Sequence, residues 1–391
     1  MNKHLLLVQP RFSQPGHFAH FTLLHARALS EYVSLKVLVY TYHTDATYEA
    51  IINQLCEIAE TEVIRGSQAG WRIGTKILYQ HTLKIIKQNP DVKQVLFLDP
   101  SVMTLATGLV LKPLPKDCYM TATEIFGPEL YLEDNFLKVG LKRLLFQVAT
   151  RYRRLRIAPL TPELSDSWRA SGLISPEACL DLPTVQMANA QSPSSKSPIG
   201  NRTDLTFAIV GSLREQKNIE RIAPLFRDGL APGTLFLAGA ARNETTAAYL
   251  AQVVDEAAKR IVCDIKFLSE PELDSLVSQV HYNLLLYVGW DERMESGMVF
   301  TSARSGTPII GLRGGWVGRM IDEYGLGYTI DPYNVDEIRA CLTHCALPGS
   351  PEYRRFEAGL RQMLADYRHE VVGPKFVAAL GLGSVEDIKS S

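Results

Sequence analysis

Ser296-Gly297-Met298-Val299-Phe300-Thr301-Ser302-Ala303-Arg304-Ser305-Gly306-Thr307-Pro308 is the stretch that decides the reading of this chain. An apolar run, 282–287, leads towards it, and a polar loop follows Trp290. Ser296 then reads as a helix N-cap, Gly306 as the helix stop, and 308–312 as a strand. Ser at the start and Gly at the end fit the capping asymmetry of helices. The first turn of such a helix offers unpaired backbone N–H groups and the positive end of the dipole. Gly297 lets a ligand come close to the backbone. Strand, loop and bare helix start together make a site for an anion, phosphate above all. A plain βαβ unit with a well-capped helix accounts for the same residues equally well.

A second segment shifts that balance. Phe207-Ala208-Ile209-Val210-Gly211-Ser212-Leu213-Arg214-Glu215-Gln216-Lys217-Asn218-Ile219 reads as a buried strand ending at Gly211 and a helix starting near Asn218. Arg214 and Lys217 fall in the loop between, at the carboxyl end of the strand, where open α/β sheets bind ligands. Arg engages a diphosphate through a planar fork and Lys through a point charge.

The pattern Gly211-x-x-Arg214-x-x-Lys217-Asn218, followed by Ser296-Gly297 and Ala303-x-x-Gly306-x-Pro308-Ile309-Ile310, resembles the donor-binding half of family 4 glycosyltransferases of GT-B fold. Between them, Leu235-Phe236-Leu237-Ala238-Gly239-Ala240-Ala241-Arg242 is similar to that family's second strand of the domain. Ile265-Lys266-Phe267-Leu268 and Glu270-x-Glu272-Leu273 are similar to its base-contacting loop and next helix. The stretch 315–331 resembles its closing segment. The match covers about 203–345; the N-terminal half matches in layout only.

This resemblance implies two doubly wound Rossmann-like α/β domains facing each other across a cleft. It implies a donor site made by Gly16, Arg214, Lys217, Phe267, Leu268, Glu295, Ser296, Gly297, Met298, Val299 and Thr301. Phe267 and Leu268 would border the base. The activity implied is transfer of a sugar from a nucleotide-diphosphate donor to a hydroxyl acceptor, with retention of configuration. The acceptor is left open among a glycan, a lipid-linked sugar and a small molecule. No cofactor beyond the donor is implied. The chain contains no Asp-x-Asp pattern, so protein cations and a helix dipole stand where a metal chelate would be needed.

The sequence also departs from the family. Its paired glutamates have slots that, counted back from Gly306, hold Thr301 and Arg293 here; Glu292 and Glu295 flank the first. Some branches of the family carry a Ser-Gly signature instead. Family histidines after two N-terminal strands are replaced by Asp99 and Glu124. Asp99, Glu124 and His17 are therefore the catalytic candidates, although a strand-end Asp before Pro is equally a turn former and a lone loop His is commonly just solvated. A carboxylate near the reacting sugar would stabilise positive charge growing at the anomeric carbon. The missing acidic pair keeps two other readings open: a nucleotide-sugar epimerase on the same fold, and a catalytically silent GT-B partner or scaffold.

Length and composition agree with two domains. The chain has 391 residues and is 46% hydrophobic, enough for two cores at a typical domain size of about 100–200 residues. Charge is balanced, 41 basic against 42 acidic, which excludes a general polyanion or nucleic-acid binder. Six scattered cysteines read as reduced thiols of a cytoplasmic protein. No secretory leader is read at the start, and no apolar run reaches the ~20 residues of a bilayer span.

Strands are expected at 4–9, 34–40, 94–98, 118–123 and 156–160, with helices at 18–31, 48–60 and 75–88. This βα alternation argues a parallel sheet covered by helices. A Ser/Pro/Gly-rich linker interrupts it, after which the alternation restarts. The expected division is 1–190, linker 191–203, 204–352, and a helical tail 353–391 that crosses back to the first domain. Finally, 138–156 holds Lys138, Lys142, Arg143, Arg151, Arg153, Arg154 and Arg156 among apolar residues and no acidic residue. A basic amphipathic segment reads as a contact with the anionic inner membrane face; a solvated helix over the sheet is the other reading.

Overall fold

The computed structural model describes residues 4–14, 18–43, 46–68, 70–133, 135–186, 205–256 and 260–383. The chain divides into two units, Met1–Met187 with His369–Ser391, and Ala188–Arg368. The expected linker lies outside the described residues.

The first unit runs β1 (His4–Gln9), α1 (Phe18–Ser30), β2 (Ser34–Thr41), α2 (Ala46–Ile58), β3 (Glu60–Arg65), α3 (Trp71–Gln88), β4 (Val92–Phe97), α4 (Val102–Leu111), β5 (Tyr119–Glu124), α5 (Phe136–Tyr152), β6 (Leu155–Pro159) and α6 (Pro162–Ala170). The second runs β7 (Thr206–Val210), α7 (Ile219–Arg227), β8 (Thr234–Ala238), α8 (Glu244–Glu256), β9 (Ile261–Asp264), α9 (Glu270–Ser278), β10 (Tyr282–Leu285), α10 (Gly297–Ser305), β11 (Ile309–Leu312), α11 (Gly315–Tyr324), β12 (Gly327–Ile330), α12 (Val335–His344) and α13 (Pro351–Asp366). The last helix, α14 (His369–Ala379), belongs to the first unit, where Phe376 and Val377 pack in the layer of Leu5 and Leu7.

Each unit has one parallel six-stranded sheet, in the order β3-β2-β1-β4-β5-β6 and β12-β11-β10-β7-β8-β9. The central strands are apolar on both faces because helices cover both. In β1, Leu6 and Val8 enter one core layer while Leu5 and Leu7 enter the other, as the two-residue period of a strand requires. Each fully buried Leu stabilises by about 1.5–3 kcal/mol. The strand order reverses between β1 and β4 in one sheet and between β7 and β10 in the other. The carboxyl ends of strands at such a reversal are where open α/β sheets bind ligands.

Several expected elements are corrected. The helix expected at 48–60 ends at Ile58, and Glu60–Arg65 forms an edge strand that the periodicity conceals. Three of its six residues, Glu60, Glu62 and Arg65, are charged and none is fully buried, as suits an edge that must not pair further. The helix expected from Thr75 starts at Trp71. The basic segment is not one helix: α5 ends at Tyr152, and Arg156 lies on β6.

Candidate functional site

At the β7/β10 reversal the second unit gathers the quoted motifs. β7 ends at Val210, and Gly211 turns the chain at φ 92°. Gly239, at the end of neighbouring β8, comes so close that an added Cβ would stand 1.8 Å from the Gly211 carbonyl oxygen. Only glycine fits there, and the loop is pressed onto the sheet end. Lys217 is thereby held inside, 5% exposed. Its Nζ donates to the Val210 carbonyl at 2.9 Å, lies 3.5 Å from the Tyr287 hydroxyl, and sits 5.0 Å from that ring's centroid. No carboxylate pairs with it among the described residues.

Arg214 stacks on Trp290, guanidinium carbon to ring centroid 4.3 Å. Burial, then the neighbouring Arg242, pulls its pKa down. Two buried donors here, Arg214 Nε and Trp290 Nε1, have no partner among the described residues. A buried donor left unmet costs about 1–3 kcal/mol, so a cluster of them beside an unneutralised ammonium calls for an anionic acceptor. The Val288 N–H donates to the Gln216 carbonyl at 3.0 Å and ties the two loops together.

α10 starts at the same place. Ser296 is its N-cap, but its hydroxyl does not cap the helix; it bonds the Tyr287 hydroxyl at 2.9 Å. Gly306 ends the helix in the left-handed region, φ 62°. An added Cβ on Gly297 would meet nothing within 4 Å, so the helix start is open. Met298 and Val299 follow in the first turn; Met298 packs beneath with Leu268 and Val210. The Val299 N–H reaches the Ser296 carbonyl at 3.1 Å. Phe267 projects into solvent, 82% exposed. Thr301 does not face the opening: its hydroxyl bonds the Gly297 carbonyl at 3.4 Å and receives Arg304, itself paired with Asp274. Glu295 is half-buried near Tyr367, whose phenol is pushed up by burial first and in part by that charge.

At the β1/β4 reversal the first unit places Asp99, at φ 45°, with its N–H donating to Thr123 Oγ1 at 2.7 Å and its carbonyl accepting from the Trp71 indole at 3.0 Å. Asp99 Oδ2 is paired with Arg11, whose guanidinium lies 4.0 Å over Phe18. Asp99 Oδ1 and Gln9 Nε2 are buried and unpartnered among the described residues. Burial pushes the Asp99 carboxyl up to about 6, against the pull of Arg11. Glu124 is fully enclosed. It accepts from the Tyr131 hydroxyl at 2.6 Å and the Phe126 N–H at 3.0 Å. Burial raises it to about 8, with Asp99 adding repulsion. In the free chain Glu124 is thus a buried acid whose two oxygens are both hydrogen-bonded. Gly16 and His17 lie outside the described residues.

Sequence reasoning missed Tyr287, Trp290, Arg11 and Trp71. Tyr287-Val288-Gly289-Trp290 follows β10 after Leu286, so aromatics just past a strand's carboxyl end were the available signal.

Both units thus have the Rossmann-like architecture, and the chain has the two-domain fold of GT-B glycosyltransferases. Among solved structures it is similar to a glycosyltransferase from Rickettsia africae, at TM-score 0.70 and 8% identity over 100% of this chain and 99% of that one. It is also similar to Anabaena HepE in complex with UDP-glucose, at TM-score 0.67 and 11% identity over 97% and 100%. The lipopolysaccharide outer core galactosyltransferase WaaB aligns at TM-score 0.61 and 14% identity over 97% and 99%. No protein-family model and no curated protein matches the chain.

Proposed function

We propose that this protein is a glycosyltransferase that takes a nucleotide-diphosphate sugar in its second unit and passes the sugar to a hydroxyl acceptor with retention of configuration. The observation that carries the reading is the set of unmet cations and donors at the β7/β10 reversal: Lys217 Nζ, Arg214 Nε and Trp290 Nε1, beside the open start of α10. A leaving diphosphate supplies the acceptor oxygens and negative charge that this set lacks. The cations are fixed before reaction, so they stabilise charge growing on the leaving group without reorganising. Side-chain cations and the helix start serve in place of a metal. Exposed Phe267 and buried Leu268 are the residues we assign to the base. In the first unit Asp99, with Oδ1 unspent, is the carboxylate we retain for contact with a substrate hydroxyl.

The similarity to HepE with UDP-glucose makes uridine nucleotides the first donors to test. A thermal-shift panel of nucleoside diphosphates and their sugars should give a clear rise with one base. Ligand at ~100 times its Kd adds about 2.7 kcal/mol. No shift with any of them overturns the donor site. Product analysis then separates transfer to an acceptor from epimerisation of the donor sugar and from binding without turnover.

For the acceptor side we infer contact with an anionic bilayer through α5. Phe136, Leu137, Leu141 and Leu144 are 89%, 80%, 59% and 57% exposed, and Lys138, Arg143 and Arg151 stand on the same helix. No helix among the described residues is long and apolar enough to cross a membrane.

A further inference from the structure

Arg151, Arg154 and Arg156 surround a cavity of about 580 Å³ with Tyr119, Ser175 and Glu177. It lies at the amino ends of β5 and β6, the end of the first sheet opposite to Asp99 and Glu124. Tyr119 opens β5; Leu155 and Arg156 open β6, the edge strand; Arg151 is in the last turn of α5.

The cations are organised around one ring. Arg156 lies 4.1 Å over Tyr119, and Arg154 lies 5.6 Å from the same centroid. The register explains the first contact: Arg156 pairs with Thr121, which puts Tyr119 on the diagonal of the same face. Stacking fixes a guanidinium by its face and leaves its N–H edge for a ligand. One edge is partly used, since Arg154 Nη1 donates to the Pro115 carbonyl at 3.3 Å. Arg154 is held at φ 57°, a left-handed conformation uncommon for a residue with a side chain. Burial draws the Arg156 pKa down, as happens to a cation that loses water and gains no anion. Glu177, exposed, is the one carboxylate lining the cavity, and no ion pair joins it to the three arginines among the described residues.

We propose that this cavity binds a phosphate group carried on a small polar body. Three forks at one mouth match the several oxygens of a phosphate, and the volume exceeds that of the inorganic ion. This site stands apart from the donor site, which is in the other unit, and does not rest on it. The phosphate can come from a lipid headgroup or from a soluble phosphoester. Arg151 continues the exposed stripe of Leu137, Leu141 and Leu144 at helical spacing.

The test uses the whole chain, with glycerol 1-phosphate followed by calorimetry and phosphatidylglycerol or phosphatidylcholine vesicles followed by sedimentation. Arg154→Gln with Arg156→Gln should weaken phosphate binding at least about tenfold, the scale of one lost charge-assisted bond. The exposed Arg151→Glu should weaken it in the same direction and carries the test if the double variant melts early. Binding to phosphatidylglycerol vesicles that both arginine variants lose, without glycerol 1-phosphate binding, assigns the site to a headgroup. Glycerol 1-phosphate binding that both variants lose assigns it to a soluble phosphoester. If neither probe binds, or if the arginine variants bind like the wild type, the proposal fails.

Discussion

Lys217 is a cation taken out of water and given a carbonyl and an aromatic ring in place of an anion. Arg214 is half-buried against Trp290 with one N–H unmet. Neither arrangement is economical in the free protein, and both become favourable once a diphosphate arrives. Lys217→Ala and Arg214→Ala should each weaken nucleoside-diphosphate binding by about tenfold or more, since a charge-assisted hydrogen bond contributes about 1.5–3 kcal/mol. Trp290→Phe keeps the stack and removes one donor, so its loss should be smaller. Calorimetric titration decides it, and unchanged affinity in both alanine variants removes the site assignment. Glu124 makes a different statement. Its folded pKa is about 8 against an ordinary 4.5. Between those values the folded chain holds a proton that the unfolded chain has released, so stability falls as pH rises through the window, by at most about 1.4 kcal/mol per unit. Glu124→Gln can still bond Tyr131 and Phe126 and does not titrate. Denaturant midpoints should therefore move in its favour from pH 5 to 8; parallel curves for the two proteins refute the shift.

Among the elements, α5 is the unusual one. Its buried face, with Phe146 and Ala149, packs in the first core layer. The face towards water carries leucines where most surface helices carry charge. Arg153 closes the helix with a buried Nε, so apolar substitutions test this face more cleanly. Wild type should co-sediment with anionic vesicles, bind neutral ones weakly, and be released as salt rises, because the screening length falls to about 3 Å at 1 M. Leu137→Ser with Leu141→Ser and Leu144→Ser should abolish vesicle binding and leave nucleotide affinity unchanged. Equal binding of the triple variant would show that this face does not enter the bilayer.

At the scale of the molecule, one architecture occurs twice, and each copy has one point where its strand order reverses, the place where such sheets bind ligands. If diphosphate charge is neutralised by Arg214, Lys217 and the start of α10, transfer should survive excess chelator. Loss with chelator and rescue by Mg²⁺ or Mn²⁺ would overturn the metal-free mechanism. The sequence alone determined the βα alternation, the motif at Gly211–Asn218 and the helix that Gly306 closes, because each is encoded by short-range periodicity and by Gly at fixed offsets. It concealed β3, whose edge position admits charged residues, and it did not mark where α5 ends before the strand read at 156–160, because basic residues carry no periodicity of their own. Only the tertiary structure decided which partners the candidates have in the free chain. Thr301 is turned into its own helix, Ser296 is bonded to Tyr287, and Glu124 is sealed by Tyr131. It also brought Trp290 to Arg214 and Tyr119 to Arg156. Those pairings depend on sheet register and on loops meeting at strand ends, and residues distant in sequence acquire such neighbours only when the sheet is assembled.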